Sequence, residues 1–336
     1  LKKLGLNTPE TIEDFYNVLV KFKQAGMKPP WAPYQGQEMQ LASSWGVHIH
    51  PALLANSFYA YNGKVQYEWI NPRLKDFYAW ANKCYTEGLM DKEFAKQSWD
   101  TMTTKVANGD VGFMDIQVGC AWSFNPIASK TVNATYVACP PFKGPNGDRF
   151  IIKNYSSGAP AGYVVTKECK VPEIATAFLS WCLLSDDYFN LMYWGVEGKT
   201  YNIVNGKKVR PDGYKGDDLG KVFPQNALPF NQFFPQLSEV WPSGGTDDVA
   251  KSDATVQPFF IDPYPANMLT EEEMSVWAKK MTDIKTYVEE NKQKFITGDR
   301  PISEWDQYVE GVKSLGIDDV LKIEQARYDR YLKIIK

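Results

Sequence analysis

The chain has 336 residues, of which 44% are hydrophobic and 14% aromatic, with 11 Trp and 19 Tyr. This length suffices for one large domain or two. Its formal net charge is −3 and it has no Lys/Arg-rich run, which argues against nucleic acid as a partner because phosphate binding leaves a basic surface. No apolar stretch approaches the roughly 18 residues of a membrane span.

The N-terminal part predicts three helices. Thr8 can cap the first and Pro9 can open it. Asn71-Pro72 repeats this device for the second, and Ser98 starts a third that ends at Gly109. Apolar residues at three- and four-residue spacing predict the buried faces, namely Ile12, Phe15, Leu19 and Phe22, then Leu74, Phe77, Ala81 and Tyr85, then Met102 and Val106.

The middle of the chain predicts strands alternating with helices. The segments 111–116, 135–139 and 161–166 are short apolar runs typical of buried strands, and a helix begins at Pro172. This alternation indicates an α/β protein.

The C-terminal third predicts long helices. Thr270 and Glu273 form a capping box, and apolar residues then recur at helical spacing as far as Gly298. Residues 303–316 and 318–336 predict two further amphipathic helices. The Pro- and Gly-rich stretch 205–265 predicts little regular structure beyond its first residues.

The stretch 193–209 combines a helix end with a hairpin. Gly195 suits the left-handed position that stops a helix starting near Ser185. Asn205-Gly206 predicts a type I′ turn between two short strands. Glu197, between two glycines, could be a catalytic acid, a ligand contact that orients a loop, or a partner for a nearby lysine. Most residues of this stretch have a structural role, which is to end the helix and form the hairpin.

No local sequence motif indicates a catalysed reaction or a metal site. The chain lacks G-x-S-x-G, P-loop, H-E-x-x-H and G-x-G-x-x-G patterns. Its two histidines, His48 and His50, have a spacing that suits a metal on a strand, but no acidic or cysteine cluster accompanies them. Five scattered cysteines form no CxxC pair, which argues against a zinc or redox site. We therefore expect no catalytic residue, no metal and no cofactor.

Aromatic residues in turns are the unusual feature. Several lie beside Pro, Gly, Ser or Asn rather than in helical stripes, and these are Trp31, Tyr34, Trp45, Trp122, Trp194 and Trp241. Each one could simply be partly buried, as Trp often is. Together with nearby small polar groups, they are also typical of a surface that binds the flat faces of sugars.

Several motifs, taken in order, resemble the bacterial extracellular solute-binding proteins of family 1, the receptors of ABC importers for sugars and oligosaccharides. "TPETIEDFYNVLVKFK", "NPRLKDFYAWANKCYTEGLMDKEF" and "KVANGDVGFM" are similar to that family's helix entries and helix-to-strand turn. "YWGVEGKTYNIVNGKKV", "FITGDRPISEWDQYVEGVKSLGIDDVLKI" and "ARYDRY" resemble the subgroup whose members are lipoproteins. The likeness runs over essentially the whole chain.

The resemblance implies an α/β, periplasmic-binding-protein-like two-lobe fold of type II, with one lobe largely complete and the other partial. Residues 1–157 would form a second-lobe segment, 158–235 would contribute to the other lobe, and 236–336 would return to the second lobe. Relatives carry a signal, a lipid-bearing Cys and roughly 100–200 residues before this point, so we expect a lipid anchor outside this chain. Many also have a calcium loop where this chain reads "KQAGMKPPWAPY", without acidic ligands.

Ligand-binding candidates come from the same resemblance. Trp122, in "GCAWSFNP", occupies the place of a sugar-stacking Trp of maltose-binding protein. Tyr34 and Gln35 match the place of an aromatic cleft residue. The remaining candidates lie near turns expected to face the cleft, namely Trp45, Asp115, Trp194 and Glu197.

The predicted function is therefore capture of a carbohydrate, an oligosaccharide, by lobe closure and its delivery to ABC permease subunits from an extracytoplasmic position. A secreted glycoside-acting enzyme or a non-catalytic sugar-binding module is the alternative. A peptide receptor fits the aromatic surface but not the C-terminal motifs.

Overall fold

The computed structural model describes residues 1–34, 36–50, 56–116, 121–153, 164–188, 195–199, 201–209, 247–265 and 269–335. The chain divides into two compact units. The first comprises Leu1–Ala159 and Ser243–Lys336, and the second comprises Pro160–Pro242. The lobe assignment of segments 1–157, 158–235 and 236–336 stays a prediction.

The described elements are mostly helical. The helices are α1 Ile12–Gln24, α2 Pro72–Thr86, α3 Trp99–Asn108, α4 Ala121–Val132, α5 Pro172–Leu184, α6 Asp247–Val256, α7 Glu271–Thr297, α8 Trp305–Ser314 and α9 Ile317–Ile334. The strands are β1 Phe58–Tyr61, β2 Lys64–Tyr67, β3 Ile151–Ile152, β4 Asn202–Val204, β5 Lys207–Val209 and β6 Phe260–Ile261. The longest of the 3-10 helices covers Gln37–Trp45.

The main core of the first unit lies where α2, α7, α8 and α9 meet. Tyr78 of α2 stacks on Phe295 of α7 with ring centroids 5.2 Å apart. Tyr308 of α8 meets Phe295 edge-on at 5.3 Å and donates its hydroxyl to the Trp69 carbonyl at 3.0 Å. The predicted helical stripes supply much of this core, which confirms that apolar spacing located the buried faces.

The N-terminal cap of α1 differs from the prediction. Thr11, not Thr8, caps the helix: its hydroxyl accepts from the Asp14 amide at 3.0 Å, and the Asp14 carboxylate accepts from the Thr11 amide at 3.0 Å. Both residues form a reciprocal capping box, whereas Thr8 has no acidic or amide residue three positions later. The caps predicted at Asn71, Ser98 and Thr270 are confirmed.

Two predicted strands are absent from the described residues. Segment 111–116 belongs to none of the described strands. It pairs with segment 30–34 through an isolated parallel bridge between Phe113 and Trp31 and a few backbone hydrogen bonds. Pro30 has no N–H and cannot extend this pairing toward residue 111, and among the described residues no hydrogen bond from the Asp115 amide to the Ala32 carbonyl extends it in the other direction.

Segment 135–139 is not a strand because a side chain satisfies its backbone. Asn125 donates to the Tyr136 carbonyl at 3.0 Å and accepts from the Tyr136 amide at 2.7 Å. These two bonds replace a strand partner. Of the third predicted strand, 161–166, residues 161–163 lie outside the described residues and 164–166 are irregular.

The strands pair locally. β1 and β2 form an antiparallel hairpin, as do β4 and β5, while β3 and β6 form a short parallel pair. In the second unit, Asn205 and Gly206 have φ of 52° and 74°, which confirms the predicted I′ turn. Gly195 has φ of 83°, as predicted for a helix stop; the residues 189–194 before it lie outside the described residues.

Candidate ligand-binding surface

Tyr34 and Asp115 come from distant parts of the sequence and lie side by side. The Tyr34 amide donates to the Asp115 carbonyl at 3.3 Å, and the Ala32 amide donates to the Phe113 carbonyl at 3.0 Å. On the other side, the Trp31 amide donates to the Leu89 carbonyl at 3.0 Å. Segment 31–34 is thus held between two extended segments of the first unit.

The Asp115 side chain is tied to the core rather than displayed. Its Oδ2 accepts from the Trp31 indole Nε1 at 2.5 Å, and Trp31 is fully buried. Burial raises the pKa of the Asp115 carboxyl to about 8, although the Trp31 hydrogen bond lowers it and the Glu38 charge raises it further. A buried carboxyl with this pKa is mostly protonated at neutral pH, so Asp115 positions Trp31 and the chain around Tyr34.

An aromatic surface lies next to Tyr34. We name it the aromatic shelf and define it as Tyr34, Trp99 and Phe124. Trp99 meets Tyr34 edge-on with ring centroids 6.2 Å apart and packs on Phe124 at 4.7 Å. Phe124 is fully buried and Trp99 is 38% exposed, so the shelf presents an indole to solvent above an apolar support.

Trp99 was not among the sequence-predicted candidates. The Ser98 cap could have indicated that the Trp99 ring is exposed. It places Trp99 at the first position of α3, and the buried side chains of this helix begin only at Met102. Its spacing from Met102 and Val106 resembles a core stripe, and this hides the exposure of its ring. An exposed tryptophan at a helix start is therefore a signal that periodicity alone misses.

Trp45 is a core residue. It is 4% exposed, its ring meets Phe77 edge-on at 5.4 Å, and it packs on Trp80 at 5.5 Å. This packing leaves the ring no surface for a ligand, so we assign Trp45 to the core. It lies on the 3-10 helix Gln37–Trp45, whose side chains are mostly buried.

The structure describes the other predicted candidates only in part or not at all. Trp122 is the second residue of α4, and its side chain lies outside the description. Gln35 and Trp194 lie outside the described residues. Glu197 lies in an exposed turn of the second unit, where the Gly198 amide donates to the Tyr201 carbonyl at 2.8 Å. Ligand roles for these four stay predictions.

The histidines are held by structural contacts. The His48 ring stacks between Tyr59 at 3.5 Å and Phe150 at 4.4 Å, and its Nδ1 lies 2.8 Å from the Tyr61 hydroxyl. His50 Nε2 lies 3.0 Å from the Lys153 carbonyl. Within the part of the chain that the structure describes, no three His, Cys, Asp or Glu side chains are grouped to hold a metal ion.

None of the helices that the structure describes combines the length and the apolarity of a membrane span.

The family assignment rests on a match over more than half of the sequence. Residues 1–188 match the family described as bacterial extracellular solute-binding protein. The chain belongs to this family. This confirms the resemblance inferred from the sequence motifs.

Two curated relatives align with nearly the whole chain. The fructooligosaccharide ABC transporter substrate-binding protein FusA of Streptococcus pneumoniae serotype 4 is 23% identical over 358 residues, covering 98% of this chain and 64% of the relative. Lipoprotein LipO of Bacillus subtilis strain 168 is 23% identical over 343 residues, covering 96% of this chain and 66% of the relative. The chain thus spans slightly less than two thirds of the length of the curated relatives it matches.

Solved structures show the same fold. The alginate-binding protein AlgQ2, crystallised without calcium ion, has a TM-score of 0.79 and 25% identity, covering 98% of this chain and 70% of that one. An EF-hand mutant of S. pneumoniae FusA in complex with fructo-nystose has a TM-score of 0.72 and 19% identity, covering 99% and 70%. The chain therefore has the fold of substrate-binding proteins of the periplasmic type, with mixed helices and strands, as the sequence predicted.

Proposed function

We propose that the protein is the solute-binding receptor of an ABC importer. It captures a carbohydrate, an oligosaccharide, by lobe closure and delivers it to permease subunits in the membrane. The observation that carries this proposal is the likeness over 98% of the chain to an alginate-binding protein at 25% identity. FusA, whose name specifies fructooligosaccharides, supports the same class of ligand.

The aromatic shelf gives the proposal a physical basis. An exposed indole supported by a buried ring offers a flat apolar face, and sugars present such faces on their C–H sides. Tyr34 adds a hydroxyl next to that face. Trp122 lies on α4, two residues before the shelf residue Phe124, and we propose that it also contacts the sugar.

On this proposal the protein catalyses no reaction and needs no cofactor. Its relatives are named as substrate-binding proteins or lipoproteins, and binding followed by release is the whole of the activity. We also propose an extracytoplasmic location, with membrane association only through a lipid anchor outside this chain.

Titration calorimetry with a panel of oligosaccharides tests the proposal. The panel contains fructooligosaccharides, alginate oligosaccharides and N-glycan fragments, and each titration is followed by an assay for new reducing ends. We expect at least one member to bind and to remain chemically unchanged. Failure of every member to bind, or growth of reducing ends during incubation, would contradict the receptor function.

A further inference from the structure

Asp91 is a buried carboxylate that holds the start of α3. It is 4% exposed, and its Oδ2 accepts from the Gln97 side-chain Nε2 and from the Lys105 ammonium. Its Oδ1 accepts from the Glu93 amide at 2.9 Å. Gln97 is buried and lies two residues before Trp99, the first residue of α3. The carboxylate therefore bonds directly to the chain that leads into this helix.

The same network also contacts the body of α3. The Gln97 side-chain oxygen accepts from the Thr101 hydroxyl at 2.9 Å and from the Lys105 ammonium at 3.2 Å. Thr101 and Lys105 are four residues apart, so they lie one above the other on the same face of the helix. Long helical side chains point back toward the N-terminus, which lets the Lys105 ammonium reach the Asp91 carboxylate from about two turns after Gln97. Asp91 thus restrains both the position and the rotation of α3.

The backbone of Asp91 holds the segment that carries Tyr34. The Asp91 amide donates to the Trp31 carbonyl at 2.8 Å, and the Trp31 amide donates to the Leu89 carbonyl at 3.0 Å. Tyr34 lies three residues after Trp31 in this segment. The two shelf rings that meet edge-on at 6.2 Å, Tyr34 and Trp99, therefore belong to two elements that both bond to Asp91.

The core beneath the shelf restrains α3 in a less specific way. Its buried residues are all apolar, namely Ala32, Met102, Val106, Val111, Phe124 and Ala128. Apolar contacts are non-directional, so they favour burial of one face of α3 without requiring a single orientation of the helix. A buried ion pair often adds little stability over apolar groups of similar size, but its hydrogen bonds require a defined geometry. The Asp91 bonds supply that geometry at the start of the helix, where Trp99 lies.

We propose that Asp91 is a positioning residue for carbohydrate binding. It does not touch the sugar. Its carboxylate holds α3 through Gln97 and Lys105, so that the Trp99 indole keeps its edge-on orientation to Tyr34 and its face open to a sugar ring. This inference rests on the proposed function, because it takes the aromatic shelf as the binding surface.

A double-mutant cycle on the whole chain tests whether Asp91 acts through Trp99. The ligand is the member of the oligosaccharide panel that the wild type binds most tightly in calorimetry. Asp91→Asn removes the charge but keeps the backbone amide that holds the Tyr34 segment, and it should lower the affinity about threefold or more. In the Trp99→Ala background it should change the affinity by less than about twofold, because the ring that it positions is absent. Equal losses in both backgrounds, or no loss in either, would overturn the proposal.

Glu324→Gln is the matched control for the general cost of losing a buried charge. Glu324 is fully buried on α9, and its Oε1 accepts from the Arg327 guanidinium at 3.2 Å and from the Trp277 indole at 2.7 Å. Like Asp91→Asn, this substitution removes a paired buried carboxylate and should lower Tm by several degrees. The affinity for the oligosaccharide should stay that of the wild type. A loss equal to that of Asp91→Asn would show that reduced stability weakens binding, and it would overturn the proposal.

The Trp99 ring can also be observed without any sugar. Fluorine NMR of protein labelled with 5-fluorotryptophan reports on each indole, and Trp99→Phe assigns the Trp99 resonance. Asp91→Asn should shift or broaden this resonance, whereas Glu324→Gln should leave it in place. An unmoved Trp99 resonance in Asp91→Asn would overturn the proposal whether or not a sugar binds. If no oligosaccharide binds the wild type but the resonance moves, the proposed function fails and the restraint of Trp99 by Asp91 stands.

Discussion

Asp115 joins the candidate ligand-binding surface to the core through one hydrogen bond. Its carboxyl is buried with the Trp31 indole. Trp31 lies on the same segment as Tyr34, and the Asp115 carbonyl accepts from the Tyr34 amide. A carboxyl that stays protonated near neutrality adds no charge to this region. It therefore fixes an indole without repelling or attracting a charged ligand, which suits a surface for neutral sugars.

The raised pKa of Asp115 predicts how stability depends on pH. Because its folded-state pKa is about 8, against 3.8 ordinarily, the folded protein keeps a proton that the unfolded chain releases. The stability that this carboxyl provides is complete below about pH 4 and is lost as pH rises toward 8. The free energy of unfolding should fall on the order of 3 kcal/mol from pH 5 to 8 through this group.

The free energy of unfolding of Asp115→Asn, measured with urea, should therefore fall less steeply between pH 5 and 8 than that of the wild type. Glu38 has its pKa raised by burial too, so the slope should be reduced rather than abolished. Asp283→Asn changes an exposed residue of α7 and serves as the control, with the wild-type slope expected. An Asp115→Asn slope equal to that of the wild type would mean that Asp115 is ionised in the folded protein.

Trp99→Ala tests the aromatic shelf. If a sugar ring covers about 60–80 Å² of the indole, the contact stabilises the complex by about 1.5–2 kcal/mol at 25 cal/mol per Å². Calorimetry should then show affinity for the bound oligosaccharide lowered by about tenfold or more. Loss of the Phe124 contact should lower Tm by only a few degrees, since the ring is partly exposed.

Tyr331→Ala is the matched control for Trp99→Ala, because it removes a half-buried aromatic ring from α9, away from the shelf elements. This variant should bind the oligosaccharide like the wild type. Equal affinities for all three proteins would remove Trp99 from the proposed binding surface.

At the scale of elements, the two threonines before α1 give a direct test of capping. Thr11→Ala should lower the free energy of unfolding by about 1 kcal/mol because it leaves the Asp14 amide without its acceptor. Thr8→Ala, at an exposed position three residues earlier, should have almost no effect. Urea unfolding of both variants decides the question, and a larger loss at Thr8 would place the cap there.

The helices could be predicted from sequence because their signals are local. Asn71-Pro72 and the Thr270–Glu273 box each act within one turn, and both are confirmed. Strands depend on distant partners, and the sequence around 111–116 does not reveal that its neighbour contains prolines. Likewise, Tyr34 was predicted from family likeness, whereas Trp99 comes next to it only through the fold.

At the scale of the whole molecule, the predicted absence of a calcium loop has a measurable consequence. "KQAGMKPPWAPY" supplies no carboxylate to a cation, and Ca²⁺ needs six to eight oxygen ligands. Millimolar calcium, or EDTA, should therefore leave Tm unchanged. A calcium-dependent rise of several degrees would contradict this prediction and would direct attention to acidic pairs such as Asp247 and Asp248.

The uneven burial of tryptophan gives the protein an internal optical probe. Trp31 and Trp69 are fully buried, whereas Trp99 is 38% exposed and Trp181 is 48% exposed. Iodide in solution should therefore quench the emission of these exposed indoles and spare that of the buried ones. A ligand that covers the shelf would shield Trp99 from iodide. Trp181→Phe removes the other exposed indole among the described residues, so in that variant the loss of quenching on ligand addition reports, for this part of the chain, on the Trp99 ring without any added label.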